Sequence, residues 1–124
     1  MENVQGQKSM RKNLVCTWKL THTEVILLKK DAGEAKIIDY KILKQTFDAQ
    51  NLIGYTSFLT FTKDNICYET EDGEKRPFTN AWKIVEGKIM VGNINADFVL
   101  KKNVLTMTSV MDILQIVSTY TKEE

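Results

Sequence analysis

Apolar and polar residues alternate at every second position through much of this chain, the period of a strand with one buried face. The clearest early case is Asn13–Leu20, where Cys16, Trp18 and Leu20 share one face and Val15, Thr17 and Lys19 the other. The strand is expected to continue, bent, through Thr23 to Leu28, before a turn at Asp31-Ala32-Gly33-Glu34. Ala35–Leu43 reads as a second strand, with Ile38, Tyr40 and Ile42 on one face. A helix over Lys36–Asn51 competes, because Leu43 and Phe47 stand four apart; we read the segment as a strand followed by one short helical turn over Thr46–Leu52.

From Gly54 onward the alternation is cleaner. Tyr55–Thr62 leads into a Lys63-Asp64-Asn65 turn and Ile66–Thr70 returns, with Asp72-Gly73 as the strongest hairpin signal. Phe78–Val85, a Glu86-Gly87 turn, Lys88–Val91, Ala96–Leu100, a Lys101-Lys102-Asn103 turn, Val104–Val110 and Ile113–Thr121 follow, the Met111-Asp112 turn being weakly marked. Eight or nine short strands joined by tight turns predict an all-β fold, a sandwich or a barrel. Tight links favour an up-and-down meander, and closing it removes exposed sheet edges. The expectation is a single antiparallel barrel of about eight strands over residues 13–122, with at most one short helical turn and a flexible leader over residues 1–12.

Composition narrows the function. One domain suffices for 124 residues, and seventeen basic against sixteen acidic residues leave a net charge of +1. No single-sign field exists to attract nucleic acid or an anionic membrane. No stretch approaches eighteen apolar residues, so no transmembrane helix is expected. The first residues, MENVQGQKSMRKN, lack the apolar core of a signal peptide. Read literally that means a cytoplasmic protein; if an export signal has been removed ahead of Met1, it means the cell envelope, the periplasm or secretion. The two thiols, Cys16 and Cys67, match no zinc or redox spacing. They are either small buried residues or one bridge, which requires Cα atoms within about 7 Å.

Candidate chemistry is sparse. His22, the single histidine, lies beside Glu24 with no nucleophile placed next to it, and reads as a surface or rim residue. Glu69, Glu71, Asp72 and Glu74 lack the ligand spacing of a calcium loop and read as a solvated hairpin tip. Lys29-Lys30 and Lys101-Lys102 read as solvated ends. No catalytic residue, metal site or cofactor is expected. Trp18, Phe61, Tyr68, Trp82, Met90, Phe98, Met107 and Tyr120 are large side chains that a small barrel either packs solid or arranges around one ligand.

Four motifs together resemble a known family. Leu14-Val15-Cys16-Thr17-Trp18-Lys19-Leu20 is similar to the opening strand of lipocalin-like domains, and Leu59-Thr60-Phe61-Thr62-Lys63-Asp64-Asn65 to their strand and Asp-Gly turn. Trp82-Lys83-Ile84-Val85-Glu86-Gly87-Lys88-Ile89 resembles their central tryptophan hairpin, and Tyr120-Thr121-Lys122 the closing tyrosine and basic residue. Cys16 and Asn65 stand where that family prefers glycine, and Lys122 where it prefers an arginine covering the first-strand tryptophan; a lysine there is still able to make a cation–π contact with Trp18. The resemblance is to small bacterial lipocalin-like domains of the calycin type. It implies a calycin barrel and export, often as a lipoprotein; a non-enzymatic role is expected because no catalytic constellation is visible, an enzyme being the distant third reading.

Two roles follow. In the first, the barrel binds a small hydrophobic molecule in a pocket lined by Trp18, Phe61, Trp82, Met90 and Met107. In the second, a filled barrel is a scaffold that meets a protein partner, in inhibition or envelope assembly, through the loops 44–54 and 71–76. A monomer is expected in both.

Overall fold

A computed structural model of the chain describes residues 10–54, 57–71, 74–75 and 80–123. The strands are β1 (Thr17–Leu27), β2 (Ser57–Phe61), β3 (Ile66–Glu71), β4 (Glu74–Lys75), β5 (Asn80–Val85), β6 (Lys88–Val91), β7 (Ile94–Lys101), β8 (Val104–Met111) and β9 (Leu114–Lys122). Eight of them close a ring of antiparallel neighbours in the order β1, β2, β3, β5, β6, β7, β8, β9 and back to β1. β4 lies outside the ring as a two-residue arm of β3. The up-and-down barrel is thus present, every ring strand having a partner on each side, although among the described residues β2 meets β1 only from Thr17 to Lys19.

Period-two patterning has its expected consequence in packing. Trp18, Phe61, Cys67, Trp82, Ile89 and Leu105 alternate inward from six strands and are each at most 2% exposed. Four hairpins turn in two residues, the first of each in the left-handed region: Glu86, Gly92, Lys102 and Asp112, with φ of 52°, 59°, 54° and 56°. A left-handed first position matches the turn to the twist of the flanking strands. At Gly92 an added Cβ would also stand 2.9 Å from the Asn80 side-chain oxygen, which would have to shift.

Two expectations need correction. The segment read as a strand over Ala35–Leu43 is part of one helix, α1 (Glu34–Ile53), far longer than the single turn expected. Ile37, Tyr40, Leu43 and Phe47 recur at helical spacing, are half-buried, and place one helix face against β1. The helix stops at Gly54, whose φ of 70° gives the left-handed cap a side chain disfavours. Residues 10–14, partly assigned to the leader, are helical and ordered against the barrel. Of the two readings left open for the thiols, the structure has the first: Cys16 and Cys67 are free, Cys67 buried and Cys16 half-buried. Residues 1–9, Tyr55, the Asp72-Gly73 turn and the expected strand start at 76–79 lie outside the described residues.

Candidate functional site

The barrel has a sealed end and an open half. At the sealed end the helical turn carries Leu14 beneath the strands, where it is 0% exposed. The Trp18 indole N–H donates to the Leu14 carbonyl at 3.0 Å, so the plug and the first strand hold each other. Trp82 donates its indole N–H to the Thr62 carbonyl at 3.1 Å, and its ring lies 4.8 Å from that of Phe61, tilted by 57°. The Arg11 guanidinium sits 4.4 Å over the Trp82 ring and donates to the Lys63 carbonyl at 2.9 Å. Among the described residues this is the cation–π contact; Lys122 is instead the register neighbour of Trp18 across β1 and β9.

Above this floor burial is uneven: Leu105, Thr23 and Val25 are buried, while other inward side chains keep some exposure. Register places Leu20, Tyr120, Leu105 and Leu100 on one inward row, and Ser118, Met107 and Phe98 on the next. Leu20, Phe98, Met107 and Ile116 face the interior of a closed ring and are nevertheless half-buried. An inward side chain keeps such exposure only where no protein atom covers it. Two carboxylates join this half. Glu69 and Glu71 share the register face of Cys67, opposite Leu59 and Ser57 of β2, yet Glu69 is exposed, in keeping with the solvated reading, and Glu71 is half-buried.

Polar groups here feel both burial and that charge. Burial, and next the Glu69 carboxylate, push the Tyr120 hydroxyl up to about 12, against which its hydrogen bond with Ser118 acts. Burial, then Glu69, likewise push the Cys67 thiol up to about 12, while burial raises Cys16 against the opposing charge of Lys122. Both Tyr120 and Cys67 keep their protons longer in the folded chain, whereas the unfolded chain loses them from ordinary values of 10.0 and 9.0. Their stabilisation is therefore complete below about pH 9 and is lost as pH rises to about 12. Denaturant titrations between about pH 8 and 11.5 are expected to show this decline, with on the order of 2 kcal/mol from Tyr120. Tyr120→Phe should flatten the part above pH 10, and an unchanged slope would refute the assignment.

Between β1 and α1 lies a cleft of about 230 Å³, lined by Lys19, Leu20, Thr21, His22, Thr23, Gln50, Asn51 and Gly54. It forms where β1 bulges between Leu20 and His22. Among the described residues β2 pairs with β1 only from Thr17 to Lys19. Beyond that point Asn51 of α1 takes the place of a strand: its side-chain oxygen accepts from the Thr23 N–H at 3.0 Å, and its amide donates to the Thr23 carbonyl at 2.8 Å. His22 is exposed on the cleft rim, as expected.

Of the five residues expected around a pocket, Trp18, Phe61 and Trp82 come together as the packed floor, and Met107 stands above them on the inward face. Met90 is not among them. Its register partners are Lys83 and Asn95, whereas Ile89 and Ala96 take the inward positions. Sequence reading missed Leu20 and Ile116, whose inward facing was legible from alternation, and the register face that Glu69 and Glu71 share with Cys67, which their charge disguised. Among the described residues no three metal-ligating side chains gather, and no helix is long and apolar enough to cross a membrane.

No protein-family model matches the sequence, and no curated protein is detectably similar to it. Solved structures do share the fold. One is fatty-acid-binding protein 1 of Echinococcus granulosus, 17% identical, with a TM-score of 0.53 over 91% of this chain and 99% of that one. Another is a DUF4847 family protein from Bacteroides vulgatus, 13% identical, with a TM-score of 0.50 over 90% and 96%. Ring topology and these likenesses together give the chain a calycin-type, lipocalin-like barrel fold.

Proposed function

We propose that the protein is a non-enzymatic binding module that holds a small apolar molecule in the open half of its barrel. The observation that carries this is the half-burial of Leu20, Phe98, Met107 and Ile116 inside a closed ring whose lower rows are sealed. Trp18, Phe61 and Trp82 serve as the floor beneath the ligand, Met107 as an adaptable wall, and Tyr120, Ser118 and Glu69 as its polar neighbours. The likeness to a structure named as a fatty-acid-binding protein is in keeping with this reading.

Thermal melting with a panel of fatty acids, retinoids and sterols tests it, followed by tryptophan fluorescence. A ligand at ten times its Kd is expected to add about 1.4 kcal/mol of stability. Met107→Trp, which fills the open half, should remove the ligand's effect while preserving the fold. If no ligand moves either signal, the barrel is a scaffold, and partner binding through the loops becomes the reading to pursue.

A further inference from the structure

α1 has two apolar faces, and β1 covers only one. Ile37, Tyr40, Leu43 and Phe47 are half-buried on the covered side. On the opposite side Ile38, Ile42 and Leu52 are 47%, 58% and 87% exposed, with Ile53 beside them at 75%. Ile38, Ile42, Gln45, Ala49 and Leu52 follow one another alternately four and three residues apart. That is the 3.5-residue repeat by which one helix meets another along a seam. An apolar seam set in this repeat and left open to water fits a second helix better than a flat or irregular surface.

The chain itself supplies the complement. We propose that the outer face of α1 pairs with α1 of a second copy in an antiparallel, two-fold symmetric dimer. Gln45 is the central member of the five-residue seam, so a dyad through it sets Gln45 against itself, where two amides can each donate and accept. Lys41 and Asp48 lie on one flank of the seam, four residues before and three after the centre. A two-fold axis brings the same flank of both helices together and reverses their direction. Lys41 of each copy then stands within one residue's rise of Asp48 of the other, giving two symmetric ion pairs. Asp48 already meets Lys44 of its own helix at 3.3 Å, and the second cation extends that pair into a network.

A single helix seam falls at the small end of specific interfaces, below about 1,200 Å² in total, so the dimer forms reversibly and at high concentration. It leaves the open half of the barrel and the β1–α1 cleft uncovered, and its test is independent of any ligand.

Sedimentation velocity on the full chain, from about 10 to about 500 μM to bracket a weak interface, is expected to move from one chain's 14.3 kDa towards twice that value. Lys41→Asp and Asp48→Lys each set like charges together at both symmetric pairs, and each alone should weaken association about tenfold or more. Mixed in equal amounts, the two variants again join an acid to a base at each pair. The introduced aspartate of one chain meets the introduced lysine of the other, the native Asp48 meets the native Lys41, and the dimer should return. Both sites are exposed, and far-ultraviolet circular dichroism confirms that the fold is kept. A wild-type chain that stays at single mass throughout overturns the proposal, as does a mixture that fails to recover. So does a monomer whose Ile42→Lys variant loses binding to neutral lipid vesicles, which would assign the face to a membrane.

Discussion

Replacing Trp18 by alanine is expected to cost about 3–5 kcal/mol of folding stability, the range for removing a large aromatic from a packed core. Trp18 is 1% exposed and belongs to one cluster with Leu14, Leu59, Phe61, Trp82 and Leu105. The loss has two sources that a second variant separates. Trp18→Phe keeps most of the apolar area but removes the donor to the Leu14 carbonyl, leaving that acceptor buried without its partner. This variant should lose about 1–2 kcal/mol, the ordinary effect of one broken buried hydrogen bond. Chemical denaturation of both variants measures the two terms. A loss under about 1 kcal/mol for alanine would show that Trp18 does not support the core.

Asn51→Leu is the second large effect, at about 2–4 kcal/mol, because it deletes both partners of one backbone unit at once. Thr23 is 7% exposed, so its N–H and carbonyl find little water when the Asn51 amide is gone. Asn51→Asp distinguishes the two bonds. A carboxylate still accepts from the Thr23 N–H but cannot donate to the Thr23 carbonyl, so its loss should fall between wild type and leucine. Denaturant midpoints give the order, and amide exchange at Thr23 shows where protection is lost. Equal stability in all three chains would mean that the amide is dispensable.

The barrel was legible because its evidence is local. Alternation over Ile66–Glu71 or Val104–Met111 and the turns at Glu86-Gly87 and Lys102-Asn103 are readable within a few residues. α1 was not, for a physical reason. Apolar residues on both of its faces place Ile38, Tyr40 and Ile42 two apart, which imitates a strand, while Ile37, Tyr40, Leu43 and Phe47 carry the helical period. A segment that satisfies both periods is decided by its tertiary partner, here β1. The site was legible in part. That Trp18, Phe61 and Trp82 point inward follows from alternation; that they are floor and not wall depends on Leu14 closing the end from below. Met90 was misplaced because apolar character outweighed parity, and Ile89 next to it takes the inward position. The charge of Glu69 and Glu71 pointed to water, and Glu69 is indeed exposed; what it hid is that both share the register face of Cys67.

The side-chain amide that stands in for a neighbouring strand on β1 also has a bearing on self-association of a damaging kind. From Leu20 to Leu27, β1 is paired through β9 on one side only among the described residues, and it contains the β-prone run Thr23-Glu24-Val25-Ile26-Leu27. A free edge of that length and composition is a template for strands of other chains. Asn51 occupies its hydrogen-bonding groups at Thr23, and α1 covers the flank. The helix thus guards an edge that the incomplete β1–β2 pairing leaves open. Local release of α1, well short of global unfolding, is the event that would expose the chain to strand exchange and fibril growth.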